Sequence, residues 1–124
     1  MLEKQLFTYD GRFPSRNDAT RADRAHWAVG AALKKKHTEA VYWSIKAQKI
    51  KPVTGKTRMT ITFYERDYRR DEDNIISGLK YLLDGIVMAQ IIPNDTRKHL
   101  QLKIEPIQVD KERPRVEVLI EKEG

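Results

Sequence analysis

Arg58-Met59-Thr60-Ile61-Thr62-Phe63-Tyr64 alternates without a break, Met59, Ile61 and Phe63 to one side and Thr60, Thr62 and Tyr64 to the other. A two-residue period carried by β-branched and aromatic side chains marks a strand with one buried face. Helical patterns flank it in the chain. Downstream, a helix opens near Asp73 with the apolar stripe Ile75, Leu79, Leu82, Leu83 and Ile86, and should finish around Gln90, before Pro93 and Asn94. Leu100, Leu102 and Ile104 alternate again, as do Val116, Val118 and Ile120, with Asp110-Lys111-Glu112 as the turn between two strands. Pro106 implies a sheet edge or a bulge, because proline cannot donate to a ladder.

Upstream, Gln5 to Tyr9 reads as a short strand ended by Asp10-Gly11. Pro14-Ser15-Arg16-Asn17 follows, where Ser15 or Asn17 caps a helix. From Asp18 to Ile50 the pattern is helical in two pieces, stopped by Pro52 and Gly55. In the second piece Val29, Leu33, Ala40, Trp43 and Ala47 fall on one stripe, which should pack on the sheet. The order β-α-β-α-β-β predicts an α+β domain in which helices cover a small mixed sheet. Without repeats, low-complexity tracts or a convincing linker, residues 1–124 read as a single domain.

Charge narrows the function classes. With 24 Lys and Arg against 18 Asp and Glu, the formal net charge is +6, which favours a polyanionic partner without demanding one. The chain has no cysteine, so disulfides and thiolate zinc sites are excluded. Met1-Leu2-Glu3-Lys4-Gln5 has no apolar signal-peptide core and no run approaches membrane-spanning length, so a cytoplasmic, soluble protein with no membrane partner is expected.

Against this basic background stands Arg69-Arg70-Asp71-Glu72-Asp73-Asn74, three consecutive carboxylates behind two guanidinium groups. Carboxylates so close repel one another unless a cation or water intervenes. Capping and the helix dipole offer an ordinary explanation, since acidic residues suit a helix N-terminus. One carboxylate suffices for a cap, however, and three together favour a divalent metal. Basic groups beside a carboxylate-held metal match a phosphodiester, which the arginines attract and the metal acts upon. In an extended segment Asp71 and Asp73 point to the same side. On a continuous following helix, Asp73, Ser77, Lys80 and Asp84 lie within roughly 40° of one line. Lys80 then reaches back toward a phosphate at the helix start, and Asp84 pairs with Lys80 at i,i+4, as exposed helix residues commonly do. Arg66, Arg69, Arg70, Arg97 and Lys98 are candidates for contacts to a DNA backbone.

Other apparent motifs fail on inspection. Gly55-Lys56-Thr57 imitates the end of a phosphate-binding loop, but Ile50 occupies the earlier glycine position and a strand follows in place of a helix. His26, His37 and His99 lack metal-ligand spacing, and Ser15, Ser44 and Ser77 lie in no nucleophile elbow. Lys34-Lys35-Lys36 splays around a helix and forms no continuous stripe.

Asp71-x-Asp73-Asn74, a helix with Lys80 and Asp84, and Asp95 eleven residues beyond Asp84 together resemble the RusA family of Holliday junction resolvases. Arg69-Arg70 and Pro14-Ser15-x-Asn17 are similar to that family too, so the resemblance spans nearly the whole chain. It implies a small homodimeric endodeoxyribonuclease, often phage or prophage encoded, that cuts four-way DNA junctions with Mg²⁺, Mn²⁺ being a possible substitute. It implies Asp71, Asp73 and Asp95 as catalytic metal ligands and Lys80 as the catalytic lysine. The chain departs from the family in needing a short insertion before Lys80, and in Asn94-Asp95 where many members carry paired aspartates. The rival readings are a non-catalytic nucleic-acid-binding or regulatory module whose acidic cluster only caps a helix, and a nuclease of flap or nonspecific type.

Overall fold

The computed structural model describes residues 4–94 and 96–123. In chain order it has strand β1 (Lys4–Asp10), helices α1 (Arg16–Ala25) and α2 (Trp27–Ala47), strand β2 (Thr57–Glu65), helices α3 (Glu72–Ile76) and α4 (Leu79–Met88), and strands β3 (Leu100–Ile104), β4 (Gln108–Val109) and β5 (Arg115–Lys122). The fold is α+β. One mixed sheet runs β1-β5-β2-β3, with β4 also pairing β2. β5 is antiparallel to both β1 and β2, whereas β2 and β3 are parallel.

Alternation sorts the two sheet faces. Phe7 and Tyr9 of β1, Met59, Ile61 and Phe63 of β2, and Val116, Val118 and Ile120 of β5 are buried in one core with Val41 and Ile45 of α2 and Leu82 and Ile86 of α4. Each such aliphatic or aromatic side chain contributes about 1.5–3 kcal/mol on leaving water. On the other face Arg115 lies 3.8 Å over the Tyr64 ring and bonds Asp110 and Glu117 at 2.7 Å each, closing the Asp110-Lys111-Glu112 turn.

Pro106 acts as expected. Between the pairs Ile61↔Ile104 and Tyr64↔Gln108, β2 advances three residues and its partner four, so one extra residue bulges at the edge beside Pro106. This splits the predicted third strand into β3 and β4. Leu102, expected on the buried side, is 39% exposed because it sits on that edge. At the opposite edge the Gln48 amide bonds both the N–H and the C=O of Thr8, which blocks further strand pairing along β1.

Two expectations about the helices need correction. The Val29-Leu33-Ala40-Trp43-Ala47 stripe does not face the sheet: Trp43 is 65% exposed, and α2 instead buries Thr38, Val41 and Ile45. The buried face lies roughly 150° around the helix from the stripe at 100° per residue. It carries the polar His37 and Thr38, so apolar content alone points to the wrong side.

The helix expected from Asp73 to Gln90 is two helices. At Ser77 and Gly78 the bonding tightens to i−3, with Gly78 N–H donating to Ile75 C=O and Lys80 N–H to Ser77 C=O. A β-carbon on Gly78 would lie 2.8 Å from the Phe13 side chain, so this break lets the chain pass directly under Phe13. Gly85 has a similar role between α4 and α2, since an added β-carbon would stand 2.5 Å from Val41 and 2.9 Å from the Thr38 carbonyl oxygen. Gly85→Ala must push the two helices apart, and we expect a loss of about 2 kcal/mol in urea unfolding with the slope unchanged. A variant as stable as the parent would show that the two helices yield freely.

His37 lies against Phe13 and Tyr81, with its Nδ1 buried and without a hydrogen-bond partner among the described residues. Burial, aided by Lys36, pushes its pKa below the ordinary 6.5. The unfolded chain therefore takes up a proton as pH falls through 6.5 while folded His37 resists until lower pH, so stability declines across that window. Unfolding at about pH 7.5 and 5.5 should show this decline, and His37→Phe should reduce it. An unchanged pH slope in that variant would assign the decline to other groups. Among the described residues no helix is long and apolar enough to cross a membrane.

Candidate nucleic-acid and metal site

The candidate site is built where β2 ends. Its inward alternation runs through Thr57, Met59, Ile61 and Phe63 to Glu65, which is only 4% exposed. Arg12 bonds the Glu65 carboxylate through Nε at 3.0 Å and a terminal nitrogen at 2.8 Å, which compensates the buried charge. Beyond it, Asp67 accepts the Arg69 N–H, a bond that holds its carboxyl below the usual pKa range, with Arg69, Arg66 and Arg12 acting in the same direction.

Arg70 fastens this loop to the N-terminal segment. Its guanidinium donates to the Phe13 carbonyl at 2.9 Å and to Asp18 at 3.4 Å. Asp18 in turn completes a capping box: Ser15 caps α1 by accepting the Asp18 N–H, and Asp18 accepts the Ser15 N–H. That backbone bond is the main cause of a lowered Asp18 pKa, with the Ser15 hydroxyl and Arg70 adding to it. Arg16, the first residue of α1, then lies 3.8 Å from Asp73. The Pro14-Ser15-Arg16-Asn17 and Arg69-Arg70-Asp71-Glu72-Asp73-Asn74 segments therefore meet in space.

Asp71 is the extended N-cap of α3 but makes no side-chain cap bond. Asp73 is inside the helix, where it accepts the N–H of Asn74 at 3.0 Å. The two carboxylates are thus placed by a helix start and not by an extended strand. Both residues are exposed, and the Asp73–Arg16 pair, 67% and 70% exposed at the side chains, is too open to water to contribute more than about 1 kcal/mol. An incoming ligand can displace it. A hydrated magnesium ion needs only one or two protein carboxylates, and Asp71 and Asp73 are two exposed carboxylates at one helix start. Among the described residues no three His, Asp or Glu side chains gather closely enough to hold a metal.

The remaining candidates spread out. Lys80 is exposed on the first turn of α4 and has no ion pair among the described residues. Asp84 pairs with Lys34 of α2 at 3.7 Å, not with Lys80 as expected, because the packing of α4 on α2 brings the lysine close. Arg66 and Arg69 are exposed beside the acidic loop, whereas Arg70 is turned inward with its side chain 23% exposed. Arg97 and Lys98 are exposed but precede β3, whose first residue pairs with Thr57 at the beginning of β2. The length of β2, roughly 26 Å at 3.3 Å per residue, separates them from the acidic loop. Asp95 lies outside the described residues. Its chain neighbour Thr96 accepts the N–H groups of His99 and Leu100 at that same far end.

Sequence reasoning missed Arg12, Arg16, Asp18 and Glu65. Two of them carried a signal: Ser15-x-x-Asp18 is a capping-box spacing, and the β2 alternation continues inward onto the charged Glu65, whereas Arg12 and Arg16 are known only through their distant partners. No protein-family model matches this chain, and no curated protein matches it either.

Proposed function

We propose that the chain is a magnesium-dependent endodeoxyribonuclease for branched DNA, with the four-way junction as the substrate implied by its resemblance to the RusA family. The supporting observation is that the two segments carrying that resemblance pack together through Arg70 and Arg16, leaving Asp71 and Asp73 facing solvent beside arginines. Spare carboxylates next to cations in a protein of net charge +6 suit a phosphodiester better than they suit a cap.

In this reading Asp71 and Asp73 hold the metal; Asp95, the third ligand that the resemblance implies, adjoins Thr96 at the other end of β2 and is given no role at this ion. When bound, magnesium supplies positive charge at the phosphate and lowers the pKa of an attacking water. Arg16, released from Asp73, and Arg66 and Arg69 draw the backbone into place. A carboxylate of the pair orients the water and takes its proton as the water oxygen bonds to phosphorus and the ester oxygen departs. Lys80 adds charge that steadies the transition state. A homodimer would supply two such sites for paired symmetric nicks.

The second reading, a non-catalytic nucleic-acid-binding module, draws support from the absence of a third acidic or histidine ligand among the described residues. A labelled four-way junction, a flap and a linear duplex, each incubated with Mg²⁺, Mn²⁺ or chelator, distinguish the two. Paired nicks in the junction that vanish in chelator are expected. Binding of DNA with no cleavage in either metal would leave the module as the correct reading, and preferential cutting of the flap would replace the substrate.

A further inference from the structure

Tyr68 is 89% exposed, more than any other large apolar or aromatic side chain among the described residues. Its loop is nonetheless braced. Arg12 holds Glu65, Asp67 accepts the Arg69 N–H and lies 3.7 Å from both the Arg66 and Arg69 guanidinium groups, and Arg70 donates to the Phe13 carbonyl. A ring held outward on such a loop adds nothing to the core, but it meets a ligand with little ordering left to be done. Beside it lies a pocket of about 170 Å³, which Tyr68 lines together with Ile107 and Val109, while Asp67, Arg70 and Glu72 supply polar atoms. Sites for drug-sized ligands start at about 300 Å³, so this pocket suits a single flat ring system. Glu72 stands between Asp71 and Asp73, is exposed, and its carboxylate has no ion pair or hydrogen bond among the described residues.

We infer that this pocket holds one unstacked nucleobase of a DNA substrate, with Tyr68 stacked on its face and Glu72 accepting hydrogen bonds from its Watson–Crick edge. The surroundings select that ligand. Arg66 and Arg69, exposed on the same loop, attract the phosphates on either side of the base. An aromatic face stacks on any base, whereas a carboxylate only accepts hydrogen bonds and so takes the N–H groups of a base edge. Bases at a branch point are the ones available, because unstacking costs least where pairing is already interrupted. Guanine fits best: its N1–H and its exocyclic amino group lie side by side and can meet both oxygens of one carboxylate, while the other three bases each present a single donor group there. The inference rests on the proposed function for DNA as the ligand, but it is read in chelator, where cleavage plays no part.

Fluorescence polarisation of a labelled oligothymidylate of about 12 nucleotides, with one central base varied, reads the pocket. The parent chain should bind the strand with a central guanine about tenfold more tightly than the strand of thymine alone. Tyr68→Ala should weaken binding of the guanine strand by about tenfold or more, and Tyr68→Phe should restore it to within about threefold, since stacking needs the ring and not the hydroxyl. Glu72→Gln should erase the guanine preference while leaving affinity for the thymine strand equal or higher, because one charge that repels phosphate is gone. Both side chains are exposed, so far-ultraviolet circular dichroism should not change. A parent chain indifferent to the central base overturns the inference, as does a Tyr68→Ala protein that binds like the parent. A Tyr68→Ala loss equally large on blunt duplex also overturns it and makes the residue a backbone contact. Those results leave the nuclease reading standing. Guanine-selective binding by a chain that never cuts a junction in Mg²⁺ would instead keep the pocket and remove the nuclease.

Discussion

Asp73→Asn is expected to lower junction cleavage in Mg²⁺ by about 10³-fold or more while leaving junction binding equal or tighter. The asparagine keeps the shape of the side chain and can still accept the Asn74 N–H, so α3 should form as before. What disappears is one of the two exposed carboxylates proposed to hold the metal, together with a negative charge that repels DNA and pairs with Arg16. Asp71→Asn should behave alike, because Asp71 makes no cap bond whose loss would disturb the helix. Asp84→Asn is the control: its partner is Lys34 on α2, and cleavage should stay near the parent rate. Single-turnover rates with enzyme in excess separate chemistry from binding. An Asp73→Asn protein that cuts at the parent rate would remove Asp73 from the metal, and an equal fall in binding and cleavage would make it a DNA contact.

Arg12→Ala should cost about 3 kcal/mol of stability, or roughly 10 °C in melting temperature for a domain of this size. Removing the guanidinium strands the Glu65 carboxylate, whose side chain is 6% exposed, without the two charged donors that accompany it. The cost arises from the isolated charge and not from a large net value of the pair. Replacing both residues by leucine should therefore recover much of the loss. Because Arg12 lies two residues before Pro14 and Glu65 two before Asp67, the pair also ties the strand end to the segments that build the candidate site. Chemical denaturation of the single and double variants measures the coupling. A single variant as stable as the parent would mean that water reaches Glu65 and replaces Arg12.

The strands, the Ser15 cap and the bulge at Pro106 are legible in the sequence because each follows from backbone geometry over a few consecutive residues. Met59-Ile61-Phe63 and Val116-Val118-Ile120 must point one way whatever surrounds them. The acidic loop is legible for a similar reason, since repulsion among Asp71, Glu72 and Asp73 is a property of their adjacency. Contacts between distant segments are another matter. Val29 and Trp43 mark an apolar face of α2, yet periodicity cannot say which of two possible faces turns inward, and the core accepts Thr38, Val41 and Ile45. Gly78 breaks the helix because Phe13 presses on it, and Asp84 finds Lys34 because Gly85 lets α4 approach α2. Arg70 is a candidate DNA contact in one dimension, and only the packed chain shows that it also braces the acidic loop against Phe13. Local periodicity is written in bond angles and side-chain types. The choice of inward face and of long-range partner belongs to the packed chain, where volume and charge must be satisfied together.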